Sequence, residues 1–298
     1  MPALKRAPVV ALLALSPFHL GGTASIDVSV ATLWKAPNLY RAIDRPSVTN
    51  PVDLAQWSRN LATTADRVWL DSHVQTQALY GQEVTILAVQ GGWAKVAVRD
   101  EPDPQDPHGY PGWLPLRQLA PAYDTSGRYV VVRSRTATLR VGGKTIALSY
   151  GTRLPLVSGN RVRTPDGTGI VSGAAASLPA TNASIIAEGK RFLGTHYLWG
   201  GLSAWGFDCS GLIWDLYRVH GLTIPRDADP QLHHGTPVSR AQLQPGDLLF
   251  FGSRGYADHV SLYLGGDRQL EAPDSAHRVR ISAVRWASYI GARRYLNR

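Results

Sequence analysis

The stretch Phe207-Asp208-Cys209-Ser210-Gly211-Leu212 contains the only cysteine among the 298 residues of the chain. Apolar residues then recur at helical spacing as far as Val219, and Gly221 provides a stop signal. This pattern predicts a helix that is capped by Asp208 and carries Cys209 in its first turn. The positive end of the helix dipole and the free backbone N–H groups there favour a thiolate. The segment therefore predicts a nucleophilic cysteine. The alternative is a small buried core residue, as many lone cysteines are.

A histidine that could serve as the base of this thiol opens a later strand. His259 begins an alternating segment that ends at a glycine-rich turn, after which the chain returns as a second strand. With a three-residue loop, Ser261 pairs with Glu271, so His259 and Glu271 should share one face, diagonal to each other. A carboxylate there would fix the imidazole tautomer and support the imidazolium. Taken alone, His259 would be interpreted as a structural histidine, but Cys209 makes a catalytic pair the stronger hypothesis.

Together with further motifs, these residues give a family resemblance. From about Thr181 to the C-terminus the chain resembles the NlpC family of papain-like cysteine peptidases, which cut bacterial cell-wall peptides. The matching motifs are Tyr197-Leu198-Trp199-Gly200-Gly201, Phe207–Leu212, Ile224-Pro225-Arg226, Gln231, Leu243–Leu248, His259–Gly265 and Gly291–Tyr295.

The resemblance implies a role for each residue of the site. In the family the cysteine attacks, the histidine acts as base and acid, and a third polar residue orients the histidine. By position these are Cys209, His259 and Glu271. The third position is commonly histidine in the family, but a carboxylate can also accept the imidazole N–H, and it raises the histidine pKa. The resemblance further implies that substrate contacts come from Tyr197 and from the two neighbours of the nucleophile, Asp208 and Ser210.

Two β-rich segments precede this region. The first contains a predicted hairpin around Gly91-Gly92, and residues 109–115 resemble the closing motif of bacterial SH3-like barrels. The second has turn signals at Gly142-Gly143 and at Pro165-Asp166-Gly167. The predicted fold class is an α+β papain-like peptidase domain preceded by two small all-β SH3-like barrels. The predicted ranges are 1–24 for a signal peptide, 25–64 for an N-terminal extension across the barrels, 65–122 and 128–173 for the barrels, 172–179 for a linker, and 180–298 for the peptidase.

The domain order resembles one subgroup of the family, the γ-D-glutamyl-L-diamino acid endopeptidases. Those enzymes require a free N-terminal L-alanine on the substrate, and an acidic residue directly after a Pro-Arg motif binds its ammonium. The resemblance implies that Asp227 binds the ammonium and that Tyr110 of the first barrel closes the cleft. Ala228 stands where the subgroup has a serine, so one amine contact would be missing. Without the resemblance, Asp227 would be interpreted as a solvated loop aspartate.

The N-terminus has the order of a signal peptide. Lys5-Arg6 precedes a short apolar run at 7–15, and small residues at 21–24 make cleavage plausible after Ala24. The run is too short to span a membrane, and no cysteine near the cleavage point could carry a lipid. We therefore predict export to the periplasm, the cell envelope or the medium. If the segment only reflects an early start codon, the protein is cytoplasmic.

Composition and charge narrow the function classes. Hydrophobic residues make up 44% of the chain and charged residues 18%, which indicates a substantial core rather than disorder. The formal charge of +9 suits an anionic cell envelope, and no basic block is interleaved with aromatic residues as in a nucleic-acid groove. No His-Glu-x-x-His motif occurs, and one cysteine cannot build a zinc–thiolate site. No metal or cofactor is implied, and the oligomeric state stays open.

These patterns converge on a cysteine endopeptidase that acts on murein peptides or peptidoglycan at the γ-D-glutamyl-L-diamino acid bond. One alternative is a general peptidoglycan hydrolase, amidase or acyltransferase built on the same Cys/His frame. Another is a non-catalytic wall-binding protein, against which the intact pair of Cys209 and His259 argues. The sequence leaves open whether the diamino acid is lysine or diaminopimelate.

Overall fold

A computed structural model describes residues 18–175 and 178–296 of the chain. Within these ranges two antiparallel sheets come first, and a domain that combines helices with a third large sheet follows. The predicted fold class, two all-β units before an α+β domain, is confirmed.

The first sheet is antiparallel and has seven strands within the described ranges. They are β1 (Thr23–Ile26), β2 (Val30–Trp34), β3 (Val74–Leu79), β4 (Glu83–Gln90), β5 (Trp93–Val98), β6 (Tyr110–Pro115) and β7 (Leu119–Pro121). Their order is β3-β2-β6-β5-β4-β1-β7, with a 3-10 helix at Leu116–Gln118 before the last strand. The predicted hairpin around Gly91-Gly92 is the β4–β5 pair, in which Val84 lies opposite Val98. Alternate apolar side chains of these strands fill a core of their own.

The first sheet starts well before residue 65, where the sequence placed the barrel boundary. Strand β1 pairs with β4 and β7, and β2 pairs with β3 and β6. Residues 23–34 are therefore part of this sheet, because their apolar side chains complete its core, and do not form an extension across it. Ala24, the predicted cleavage point, is fully buried inside β1. Residues 1–17 of the predicted signal peptide lie outside the described residues.

An insertion between β2 and β3 joins the first sheet to the α+β domain. It contains a 3-10 helix (Ala42–Ser47) and two short helices, α1 (Leu54–Asn60) and α2 (Thr64–Leu70), each capped at its N-terminus by a side chain. Trp57 of α1 belongs to the core cluster that also contains Cys209. From α2, Arg67 Nε donates to the carbonyl of Ser275 at 2.8 Å.

The second sheet is also antiparallel, and its strands run from residue 129 to residue 175. They are β8 (Tyr129–Val132), β9 (Thr136–Val141), β10 (Lys144–Ser149), β11 (Arg153–Ser158), β12 (Arg161–Thr164), β13 (Gly167–Ser172) and β14 (Ala174–Ala175). Both predicted turns are present, between β9 and β10 and between β12 and β13. Strand β14 pairs with β8, so the first part of the predicted linker belongs to the sheet. Residues 176 and 177 of that linker lie outside the described residues.

The α+β domain places a helix against an antiparallel sheet. Its helices are α3 (Asn182–Lys190), α4 (Cys209–Val219) and α5 (Ala228–His233), and its small hairpin is β15 (Leu202–Ser203) with β16 (Gly206–Phe207). The sheet strands are β17 (Thr236–Val238), β18 (Leu248–Ser253), β19 (Tyr256–Gly265), β20 (Arg268–Glu271), β21 (Arg280–Ala283) and β22 (Tyr289–Arg294), with 3-10 helices at Arg240–Gln242 and Trp286–Ser288. Their order is β17-β22-β18-β19-β20-β21, and α4 packs on β19. In the part of the chain that the structure describes, no helix is both long and apolar enough to cross a bilayer.

Candidate active site

The cysteine occupies the first position of α4, as the sequence predicts. Asp208 is the N-cap, and its Oδ1 accepts a hydrogen bond from the backbone N–H of Gly211 at 2.6 Å. Cys209 is 8% exposed, so its sulfur is shielded but not sealed from solvent. A Cβ on Gly211 would lie 2.1 Å from the carbonyl oxygen of Gly201, and only glycine fits this close approach. The result is a thiol held rigidly at the positive end of a helix.

A buried arginine holds the cap in place and links it to the first sheet. Arg226 is fully buried, and its terminal nitrogens donate to both carboxylate oxygens of Asp208, at 2.7 and 3.0 Å. Its Nη1 also donates to Ser210 Oγ at 3.0 Å, and its Nε donates to Thr76 Oγ1 on β3 at 2.9 Å. Nearby, Glu101 lies 3.8 Å from Nε, and burial raises the pKa of this carboxyl to about 8 against the opposing pull of Arg226 and Thr76. The sequence motif contained Arg226, but its role required the fold.

His259 and Glu271 meet as the hairpin geometry predicts. Leu262 pairs with Leu270 across β19 and β20, a register that puts Ser261 opposite Glu271. The turn itself is tighter than expected, because Gly265 pairs with Arg268 after a register shift. His259 Nε2 lies 3.0 Å from Glu271 Oε2, and both side chains are buried.

The imidazole is tuned by its two neighbours. Burial alone would lower the pKa of His259, but hydrogen bonding and charge from Cys209 and Glu271 raise it to about 9. Because Nε2 faces Glu271, Nδ1 is the ring nitrogen left for the thiol of Cys209. Thiol, imidazole and carboxylate thus form one hydrogen-bonded series, and the imidazolium form of His259 is favoured at neutral pH.

Glu271 is held by groups that the sequence analysis did not identify. Its Oε1 accepts from Ser282 Oγ at 2.8 Å and Arg280 Nε at 3.1 Å, and Arg285 Nη1 reaches Oε1 at 3.2 Å and Oε2 at 2.9 Å. Gln269 Nε2 adds a contact to Oε2 at 3.3 Å. The alternation of residues 280 and 282 on one strand could have indicated this, had β21 been recognised.

Glu271 is ionised in spite of its burial. Burial would raise the pKa of its carboxyl, but His259, Ser282 and Arg285 lower it to about 2. A buried carboxylate with this many donors stays negative over the whole neutral range.

Cys209 lines a cleft of about 670 Å³ between the first sheet and the α+β domain. Its lining includes Tyr197, Asp208, Ser210, Tyr110 and Asp227, so every predicted substrate-contacting residue borders the same cavity as Cys209. Both carboxylate oxygens of Asp208 and the hydroxyl of Ser210 already accept hydrogen bonds from Arg226. The roles of these two residues toward a substrate therefore stay predictions.

Across this cleft the two units meet at Asp227. Tyr110, the first residue of β6, donates its hydroxyl to Asp227 Oδ2 at 2.8 Å. Asp227 is the N-cap of α5, yet its side chain makes no capping hydrogen bond and is 48% exposed. The walls of the cleft raise the pKa of Asp227 above its ordinary value, although Arg226 and Tyr110 pull it down. This half-open carboxylate accepts one hydrogen bond from Tyr110 and lies 3.8 Å from Arg226 Nη1, and its exposed side is suited to receive a further cation.

Comparison with known proteins agrees with this architecture. Residues 194–294 match the NlpC/P60 family, and residues 70–119 match the bacterial dipeptidyl-peptidase Sh3 domain. The chain belongs to the NlpC/P60 family of cysteine peptidases.

Relatives that match this chain along most of its length were found in two bacilli. The chain is 41% identical to a gamma-D-glutamyl-L-lysine dipeptidyl-peptidase of Bacillus cereus, over 92% of this chain and 91% of that protein. It is 36% identical to the protein of the same name in Bacillus subtilis, over 85% and 90% of the two chains. A crystal structure of an NlpC/P60 family protein from Bacillus cereus superposes with a TM-score of 0.87 at 39% identity, covering 93% of this chain and 100% of that one.

Proposed function

We propose that this protein hydrolyses the γ-D-glutamyl-L-diamino acid bond of murein peptides that begin with a free L-alanine. The observation that carries the proposal is the position of Asp227 and Tyr110 in the same cleft as Cys209. The names of the two bacillus relatives support a lysine at the cleaved bond, which the sequence alone left open.

The proposed first half of the reaction forms a thioester. The thiolate of Cys209 attacks the γ-carbonyl carbon of D-glutamate while His259 holds the former thiol proton as imidazolium. The Cys209 backbone N–H, at the first position of α4, donates to the developing oxyanion. The tetrahedral intermediate collapses with cleavage of the C–N bond, and His259 gives its proton to the leaving amino group of the diamino acid.

The proposed second half releases the dipeptide. Neutral His259 takes a proton from water, and the resulting hydroxide attacks the thioester carbon. Cleavage of the C–S bond returns Cys209 as thiolate beside the imidazolium and frees L-Ala-D-Glu. Throughout, Glu271 accepts a hydrogen bond from the Nε2–H of His259, and its negative charge stabilises the cationic ring.

The amine pocket explains why the enzyme would cut small fragments. In the proposed complex the substrate ammonium sits against Asp227, and Tyr110 closes the cleft beyond the alanine. Ala228 offers no hydroxyl to this amine, so the proposed contact depends on the charge of Asp227. Substrates in which alanine is still joined to muramic acid would clash with this wall. We further propose that the protein is exported and acts on the cell envelope, where murein peptides are produced.

An assay of the purified protein on free tripeptides tests the proposal. L-Ala-γ-D-Glu-L-Lys and its diaminopimelate counterpart are incubated with the wild type and with Cys209→Ala, and products are identified by mass. We expect L-Ala-D-Glu and the free diamino acid from the wild type only. Equal cleavage of intact peptidoglycan would indicate a general wall hydrolase, and wall binding without any hydrolysis would indicate a non-catalytic protein.

A further inference from the structure

The carboxylate behind the imidazole has an unusual number of cationic partners. Glu271 has no exposed side-chain surface, whereas the side chains of Arg280 and Arg285 are 39% and 41% exposed. Both guanidinium groups contact the carboxylate, so they form the layer between Glu271 and solvent. Their positions are set by the sheet edge: Arg280 is the cross-strand partner of Glu271, and Arg285 follows the end of β21.

We propose that Arg285, assisted by Arg280, is a positioning residue that keeps Glu271 ionised and fixed so that Glu271 can orient His259. The inference rests on the catalytic roles proposed for Cys209, His259 and Glu271. Neither arginine is proposed to touch the substrate or the reacting atoms.

Geometry distinguishes Arg285 from an ordinary surface arginine. One nitrogen, Nη1, contacts both oxygens of Glu271, at 3.2 and 2.9 Å, which restrains rotation of the carboxylate about its terminal bond. The guanidinium also lies 5.1 Å from the ring centre of Phe251, and that ring packs 5.7 Å from the imidazole of His259. Arg285 therefore supports both sides of the His259–Glu271 contact.

Burial makes compensation of the Glu271 charge necessary, and the charge of Arg285 adds to the larger contributions of His259 and Ser282. A carboxyl removed from water takes up a proton unless donors and positive charges compensate. A neutral Glu271 would lose the charge that stabilises the imidazolium. It could also turn its O–H toward His259, which would reverse the hydrogen bond and favour the wrong tautomer.

The pH dependence follows from all groups that face the pair. Glu271 faces His259 from β19, Gln269 on its own strand, and Arg280, Ser282 and Arg285 from β21 and the segment after it. His259 additionally faces Cys209 from α4 and the ring of Phe251. Removing a cation from this set raises the pKa of Glu271, because burial is less opposed. As long as Glu271 stays ionised, the same change also raises the pKa of His259, because one repelling charge is lost.

Arg285→Gln and the double variant Arg280→Gln/Arg285→Gln test the proposal. The pH profile of kcat/KM should move to higher pH on both limbs, by about one unit in the single variant and further in the double variant. At pH 6 we expect kcat to fall about tenfold in the single variant, because the base is less well oriented, with little change in KM. Arg285→Lys should restore most of the profile, since one ammonium can replace the single nitrogen that contacts Glu271.

Arg268→Gln is the matched control. Arg268 lies on β20 with Glu271 and is exposed, but it does not contact the carboxylate in the described structure. Its loss therefore removes one positive charge from the same strand and leaves the contacts of Arg280 and Arg285 with Glu271 in place. Its pH profile should match the wild type. Thermal unfolding of every variant identifies any that fail to fold.

A second measurement does not depend on the substrate. The rate at which iodoacetamide alkylates Cys209 is recorded against pH in the same variants, because it reports the thiolate that His259 maintains. We expect the same upward displacement in Arg285→Gln and its recovery in Arg285→Lys. If the alkylation profiles of folded Arg285→Gln and the double variant coincide with that of the wild type, the proposed role is wrong. If they shift while the wild type cleaves no murein tripeptide, the proposed function fails but the positioning role stands.

Discussion

Asp227→Asn is the substitution that separates a fragment-trimming peptidase from a general wall hydrolase. It keeps the shape of the side chain and its ability to accept from Tyr110, but it removes the charge that faces the substrate amine. The measurement is kcat/KM for L-Ala-γ-D-Glu-L-Lys and for the same peptide with an acetylated amine, at pH 7, where the free amine is mostly ammonium.

The size of the effect follows from the exposure of the carboxylate. A hydrogen bond to a charged group contributes about 1.5–3 kcal/mol, and the lower value suits Asp227 because 48% of its side chain is exposed. About 1.4 kcal/mol corresponds to tenfold, so Asp227→Asn should reduce kcat/KM for the free tripeptide by about tenfold. The acetylated peptide, which has no ammonium to lose, should change little. The preference of the wild type for the free peptide, expected at one to two orders of magnitude, should therefore shrink in the variant.

The contact between Tyr110 and Asp227 provides a graded comparison. Tyr110→Phe removes only a hydroxyl, so we expect a loss of a few-fold on the free peptide, in line with about 0.5–1.5 kcal/mol for one hydrogen bond. Asp124→Asn, in the segment between β7 and β8, is the charge-matched control and should behave like the wild type, because this exposed aspartate pairs with Arg163 and does not line the cleft. Equal wild-type rates on the free and acetylated peptides would refute the reasoning, because they would mean that the cleft is open beyond the alanine.

Three further outcomes are expected. Cys209→Ala should abolish hydrolysis with thermal unfolding close to that of the wild type; a variant that retains normal activity would rule out covalent catalysis by this residue. The pKa of Glu271 is lowered to about 2 from 4.5, and that of His259 is raised to about 9 from 6.5. The contribution of Glu271 to stability is therefore lost as pH falls from 4.5 to 2, and that of His259 is lost as pH rises from 6.5 to 9. The difference in Tm between the wild type and Glu271→Gln should consequently be largest between these windows, at pH 4.5–6.5. A Tm difference that does not vary with pH would contradict an ionised pair of Glu271 and His259. Arg226→Met should lower the free energy of unfolding by about 3–5 kcal/mol, measured by urea denaturation, because it leaves the buried charge of Asp208 unpaired; a loss below about 1 kcal/mol would mean that this ion pair does not stabilise the cap.

The sequence predicted those parts of the site that depend on local pattern. The capped helix at Asp208 and the approach of His259 to Glu271 follow from periodicity and hairpin register, which act over a few residues. The side chains that contact those residues could not be predicted from local pattern. Arg226 reaches Thr76 across 150 positions of sequence, and Arg285 reaches Glu271 from beyond a strand with no clear apolar alternation. Such contacts depend on which elements the tertiary fold brings together, and a motif records only one end of them.

The early strands illustrate the same limit for the fold. Strand β1 has four residues and β2 has five, and both are buried almost throughout, so neither shows the alternation that marks a half-exposed strand. The small residues around Ala24 also fit a cleavage signal, and the sequence analysis therefore assigned them to a signal peptide. Their pairing with strands tens of residues downstream identifies these segments as sheet: β4 and β7 for β1, and β3 and β6 for β2.

Arg226 has a consequence for how such enzymes can be rebuilt. Its guanidinium group binds Asp208, the N-cap of α4, and its remaining nitrogen, Nε, donates to the hydroxyl of Thr76 on the first sheet. A chimaera in which that sheet is exchanged to admit larger substrates would therefore also disturb the position of Cys209. The position would be kept if the donor sheet placed a hydroxyl and a carboxyl where Thr76 and Glu101 lie. The first sheet thus affects both substrate selectivity and the position of the Cys209 thiol. A chimaera made to change selectivity must therefore also be tested for the reactivity of Cys209.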